Sequence, residues 1–297
     1  MPTDCRITTT ALKETKMIKI LVDSASDVEL AEAKNLGIAL APMQVRFGDR
    51  EYLDGVDITH KEFFEKLIES DELPQTSQIN EFRFEEYFSE LTGDGSEVIA
   101  LTISSRLSGT YECAAKAAKK FDGKVRVVDS MNACIGERIL LQYALRLRDE
   151  GLSAQEIVKK LEKKKGKIQL LALLDTLHYL KKGGRISAVT AVAGEMLSIK
   201  PVVSITDGKV RLVGKAMGSR RGSNLLTQLI DKCGGIDFSM PYTLGYSGLS
   251  DENLKKYIRD SEKLWKDETD GIPVYMIGST IGTHIGPGAI AVAFFAQ

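Results

Sequence analysis

The chain has 297 residues, of which 43% are hydrophobic and 27% charged, with a formal net charge of −1. That length suits two domains, or one large one, with a sizeable core. The charge balance gives no footprint of nucleic-acid or membrane-surface binding, and no apolar run reaches the roughly 18 uninterrupted residues of a membrane span.

The first 16 residues, MPTDCRITTTALKETK, have no apolar core and do not read as a signal peptide. They read as an extension ahead of a fold that begins at Met17. IKILVDS (Ile18–Ser24) is a short continuous apolar run and predicts a buried parallel strand. VELAEAKNLG predicts a helix with Gly37 as its C-cap. The stretch 38–59 predicts short strands with turns at Gly48-Asp49 and Asp54-Gly55, a small β excursion over about 43–60. An amphipathic helix (THKEFFEKLIES), a loop (LPQTSQ) and a second helix (EFRFEEYFSELTG) follow.

EVIALTIS (Glu97–Ser104) and VRVVDS predict further strands, with the loop SSRLSGT and the helix TYECAAKAAKKF between them. ERILLQYALRLRDEG predicts the next helix, and Ser153 with Glu156 forms a capping box for AQEIVKKLEKKKG. Strands alternating with helices argue for a doubly wound parallel sheet over residues 17–165. After that the rhythm changes. IQLLALLDTLHYLKKGGRIS predicts a strand and a short helix stopped at Gly183-Gly184. IKPVVSITDGKVRLVGKAM predicts a hairpin with Asp207-Gly208 as its turn. A helix (SNLLTQLIDKCGG), a strand (PYTLGYSG), a helix (DENLKKYIRDSEKLWKD) and two strands around a glycine-rich loop complete the chain. Residues 166–297 therefore predict an α+β domain with a mixed sheet, and ligand sites are expected near the junction.

Several chemistries are absent. There is no Walker phosphate loop, no GxGxxG after a strand, and no HExxH or GxSxG. Cys5, Cys113, Cys134 and Cys233 have no zinc or CxxC spacing and read as free thiols of a reducing cytosol. His60, His178 and His284 are scattered, so no metal site is expected. What remains is a set of loops at strand ends, where open α/β folds bind ligands. These are Thr76-Ser77-Gln78, Ser104–Thr110, Lys181–Arg185 and Thr283–Gly288. The last three have plain structural alternatives: a helix cap at Ser105 or Ser108, a solvated helix end with a glycine cap at Gly183, a packed histidine at His284.

Taken together, in this order, these segments resemble the DegV family. The matching pieces are DSASD (23–27), APMQVRFGDREYLDGVDIT (41–59), TSQ (76–78), ISSRLSGTY (103–111), VVDS (127–130), TLHYLKKGGRIS (176–187), LSIKPVVSITDGKV (197–210) and IGTHIGPGAIAVAF (281–294). The resemblance implies a DegV-like two-domain α/β fold and a non-catalytic, cytoplasmic lipid carrier without a cofactor. It would bind a long-chain fatty acid in a tunnel and present it to a separate fatty acid kinase, whose acyl phosphate feeds phospholipid synthesis. On the family pattern Thr76, Ser108 and His284 hold the carboxylate. Ser77, Gly109, Thr283, Gly286 and Gly288 form the supporting loops, and Arg185 faces the kinase. The other readings are a small-molecule enzyme related to dihydroxyacetone kinase and a lipid sensor; the first lacks a nucleotide loop. Three departures from the family pattern stand out. Ile79 replaces a proline after TSQ, MNACIGERIL replaces a Ser/Gly pattern after VVDS, and Ala216-Met217 stands where a Val-Arg pair supplies a kinase-docking arginine. Arg220 and Arg221 are the nearest substitutes for that arginine.

Overall fold

A computed structural model describes residues 17–187, 199–265 and 271–297. The expected extension 1–16, Cys5, the first two residues of the 197–210 motif and the end of the helix expected over 251–267 lie outside the described residues.

The first half is built on a parallel sheet. β1 (Ile18–Asp23) lies between β2 (Ala39–Ala41) and β6 (Glu97–Thr102), with β7 (Val125–Asp129) beyond β6. Ile20, Leu21 and Val22 are all buried, as are Val98 to Leu101. Such runs mark strands covered on both faces. The cover comes from α1 (Leu30–Leu36), α3 (Glu81–Thr92), α4 (Thr110–Ala118), α5 (Cys134–Asp149) and α6 (Ala154–Lys164). Gly37 caps α1 with a left-handed φ of 62°, and the Ser153/Glu156 capping box opens α6, both as the sequence predicts.

The β excursion is larger than the sequence suggests. β3 (Gln44–Phe47) pairs with β4 (Arg50–Leu53) and also with β5 (Gln75–Ser77). The TSQ segment, expected as a loop, therefore begins inside a strand. Three polar residues carry no hydrophobic alternation, and the pairing with β3 spans α2 (His60–Glu69), so local pattern misses it.

The second half is a six-stranded mixed sheet in the order β10-β9-β8-β13-β11-β12. Its strands are β8 (Ile168–Leu173), β9 (Ile199–Thr206), β10 (Lys209–Met217), β11 (Thr243–Tyr246), β12 (Val274–Met276) and β13 (Ile290–Phe295). Only β11 and β12 pair in parallel. The β9–β10 hairpin turns at Asp207 and Gly208, with φ of 50° and 73°, as the Asp-Gly signal predicts. Alternation divides the sheet's two faces. Leu171, Leu173, Val292 and Phe294 pack in one cluster with residues of α8 (Gly218–Lys232) and α9 (Glu252–Asp260). Leu170, Ala172, Ala291, Ala293 and Phe295 join the core of β1 and β6. The two halves thus share a core, and α5 packs against strands of both sheets. Among the described residues no helix is long and apolar enough to cross a membrane.

The glycine-rich C-terminal stretch is not a loop throughout. After α7 (His178–Lys182), the last helix is α10 (Ser279–Ile285), and Thr283 and His284 belong to it. Gly278 and Gly282 concealed it in the sequence, because glycine disfavours helix. The structure explains both. A Cβ at Gly282 would lie 2.6 Å from the Phe63 ring and 2.8 Å from Phe64, and one at Gly278 would lie 2.8 Å from His60 Nε2.

Candidate functional site

A cavity of about 230 Å³ opens between the two sheets. Its wall is mostly aliphatic: Met43, Ile103 and Leu107 from the first half, Leu170, Val203, Ile205, Val210 and Ile277 from the second. One face of α10, continued back to Ile277, contributes Ile277, Thr280, Ile281, His284 and Ile285. That is a helical stripe at 3.6-residue spacing. Two carboxylates fix the entry to this helix. Asp27 Oδ1 accepts the Gly278 N–H at 2.8 Å, and Asp54 accepts those of Ser279 and Thr280 at 3.1 and 3.0 Å. The first two free N–H groups of the helix, and that of the residue before it, are thus satisfied by the protein.

Three expected residues, Thr76, Ser108 and His284, line this cavity together. Thr76 Oγ1 lies 2.9 Å from His284 Nε2. Thr76 turns inward because it is the middle residue of β5; its neighbour Ser77 points the other way, is exposed and does not line the cavity. Ser108 Oγ lies 2.9 Å from Thr110 Oγ1 and accepts the Thr110 N–H at 3.3 Å. It therefore serves the start of α4 as well as facing the cavity.

His284 Nδ1 is buried without a partner. Burial, and then the positive charge of Arg185, pull its pKa from 6.5 down to about 4. The imidazole is neutral at ordinary pH. Gly183 makes its space: a Cβ there would lie 2.1 Å from His284 Nδ1. The GGRIS segment therefore abuts the histidine across the cavity mouth. Arg185 is exposed on that rim, where its Nε donates to Leu107 O at 3.3 Å and Nη1 to Gly183 O at 2.7 Å. Arg106, Arg185, Lys209 and Arg211 line an adjoining groove that shares Leu107, Arg185 and Val210 with the cavity.

The other expected loop residues have different neighbours. Thr283 is buried and its Oγ1 donates to Ser279 O at 2.9 Å, so it is turned into the helix. Gly286 and Gly288 have φ of 72° and 85°, which favour glycine, but Cβ atoms there would meet the Tyr179 ring at 2.2 Å and the Asp175 carboxylate at 2.7 Å. They admit protein side chains and do not line the cavity. Gly109 does line it, against the Gln78 amide, which a Cβ would meet at 2.3 Å. Gln78, from the expected TSQ loop, also lines the cavity, and Thr280 is a part of the site that sequence reasoning missed. Cys134 and Ala133 come from the MNACIGER departure, which does reach the cavity wall. The helical stripe was the available signal for Thr280.

The other histidines stand apart. His60 is buried with Nδ1 3.2 Å from Met276 O, and His178 is exposed at the start of α7.

Comparison with known proteins fits this picture. The family model described as "Uncharacterised protein, DegV family" matches residues 17–297. A DegV domain-containing protein of Clostridium perfringens is 34% identical over 289 residues, covering 94% of this chain and 97% of that one. A solved structure described as fatty acid binding of a DegV family protein from Thermus thermophilus superposes with a TM-score of 0.82 at 28% identity, over 95% of this chain and 100% of that one. A stearic acid-binding protein from Eubacterium ventriosum superposes with a TM-score of 0.83 at 26% identity, over 93% and 97%.

Proposed function

The chain belongs to the DegV family, and from that premise we propose that it binds a long-chain fatty acid in the cavity between its two sheets. On this reading residues 17–165 and 166–297 are its two domains and the lipid lies at their junction. The observation that carries the proposal is an aliphatic cavity with the Thr76–His284 pair, Ser108 and the rim cation Arg185 in its wall. A carboxylate carries one charge and accepts from hydroxyls and an imidazole N–H. The hydrocarbon supplies the affinity. Each buried methylene is worth about 0.8 kcal/mol, so ~15 of them offer roughly 12 kcal/mol before the costs of association. Neutral hydrogen bonds net about 1 kcal/mol each, enough to orient the head group.

The carrier has no chemistry of its own on this reading. It presents the carboxylate to a fatty acid kinase, and the groove lined by Arg106, Arg185, Lys209 and Arg211 beside the mouth suits an acidic partner surface. Met217, 63% exposed at the end of β10, takes the place of the family's docking arginine. The test is native mass spectrometry of the purified protein with displacement of a fluorescent fatty acid. A co-purifying C14–C18 acid and competitive displacement support the carrier. A protein that carries no lipid and binds none of these acids rejects it.

A further inference from the structure

Thr280 lies on the cavity stripe of α10, one helical turn before His284. It is 2% exposed, and its Oγ1 has no hydrogen-bond partner. A threonine in a helix commonly donates to the carbonyl four residues back. For Thr280 that carbonyl is Met276 O, which faces His60 Nδ1 at 3.2 Å. Thr283, off the cavity, makes the ordinary bond, to Ser279 O at 2.9 Å. The Thr280 backbone is itself tethered, its N–H donating to Asp54 Oδ2 at 3.0 Å. A second polar atom of the wall is Cys134 Sγ, 4% exposed, a weak acceptor.

A plain hydrocarbon chain beside Thr280 leaves this hydroxyl unsatisfied, and that costs binding energy. A site with a buried hydrogen-bonding group discriminates against the ligand that lacks its counterpart far more strongly than an apolar pocket discriminates by size. We infer that the cavity is built for an acyl chain that carries its own oxygen, a hydroxyl or keto group, within the chain, held by Thr280 Oγ1. This rests on the fatty-acid reading above. With the carboxylate at His284, one helical turn is about 6 Å, which places the oxygen roughly five carbons along an extended chain.

The experiment is displacement of a fluorescent fatty acid by stearic acid and by hydroxystearic acids with the hydroxyl at positions four to eight or at position twelve. The wild-type protein should bind its best acid of the first group about tenfold more tightly than stearic acid, with no such gain for the twelve-position acid. Thr280→Val, which keeps the shape and removes the hydroxyl, should abolish or reverse the preference. Equal or tighter binding of stearic acid by the wild type overturns the inference while leaving the carrier reading in place, whether or not the variant folds. Failure of every acid to displace the probe overturns both.

Discussion

At His284 two effects oppose each other. A position in the last turn of a helix favours the imidazolium, whereas burial and Arg185 favour the neutral ring. Burial prevails, at a pKa of about 4. Between 6.5 and about 4 the unfolded chain takes up a proton that the folded chain does not. The contribution of this residue is therefore complete above that window and is lost as pH falls through it. His284→Gln removes the titration, so its melting temperature should fall less steeply than the wild type's between pH 6.5 and 4.5. Equal slopes would show that His284 does not titrate this way. Asp23 and Asp27, raised to about 7 and about 6 chiefly by burial, act in the opposite sense, but they are common to both proteins. For the carboxylate site, Thr76→Val should weaken fatty-acid binding by about 1–2 kcal/mol and leave thermal stability unchanged. Ser108→Ala should lower both, because Ser108 also accepts the Thr110 N–H. Titration of a fluorescent fatty acid alongside thermal melts separates the two. Thr76, Ser108 and His284 were legible in the sequence only through their motifs. Their meeting depends on β5 and α10, neither of which local pattern reveals.

At the scale of elements, the glycines of the site separate into distinct roles. Gly183 has an ordinary helical φ of −74°, yet a Cβ there would collide with His284. Gly184 has a φ of 71° with nothing within 4 Å of its Cβ position. Gly183→Ala should therefore keep the fold and cut fatty-acid affinity at least about tenfold as the imidazole is displaced. Gly184→Ala should cost roughly 1 kcal/mol of stability with affinity unchanged. The reverse pattern, in melting and displacement assays, would show that GGRIS does not shape the histidine's position. The buried parallel strands, the capping box of α6 and the Asp207-Gly208 hairpin were readable because each is specified within a few residues. α10 was not, since glycines demanded by Phe63, Phe64 and His60 from elsewhere in the chain mask its periodicity. Gly286 and Gly288 were likewise ambiguous: a positive φ can be inferred from sequence, but what the glycine makes room for, here Tyr179 and Asp175, cannot.

Across the whole molecule, the shared core accommodates costly acids beneath the cavity. Glu137 on α5 is fully buried with both carboxyl oxygens unpartnered. Burial, then the charges of Asp23, Asp27 and Asp129, hold its pKa well above the usual carboxylate range. Folding therefore keeps a proton that the unfolded chain releases, and the resulting loss of stability grows as pH rises. Glu137→Gln should stabilise the protein more at pH 8 than at pH 5; a pH-independent difference in melting temperature would contradict this. At the surface, Arg185→Ala should slow acyl-phosphate production by a fatty acid kinase, and Met217→Arg, away from the cavity, should speed it without altering lipid affinity. Full wild-type activity insensitive to both would show that the docking surface lies elsewhere. The central claim is that a fatty-acid carboxylate rests on Thr76 and His284 with its chain between the two sheets. A crystal structure of the protein with stearic acid tests it most directly. The account predicts carboxylate density within hydrogen-bonding distance of Thr76 Oγ1 and the His284 imidazole, and an acyl chain running along Thr280 and Ile277. A chain bound outside this cavity, or a carboxylate at its opposite end, would contradict it.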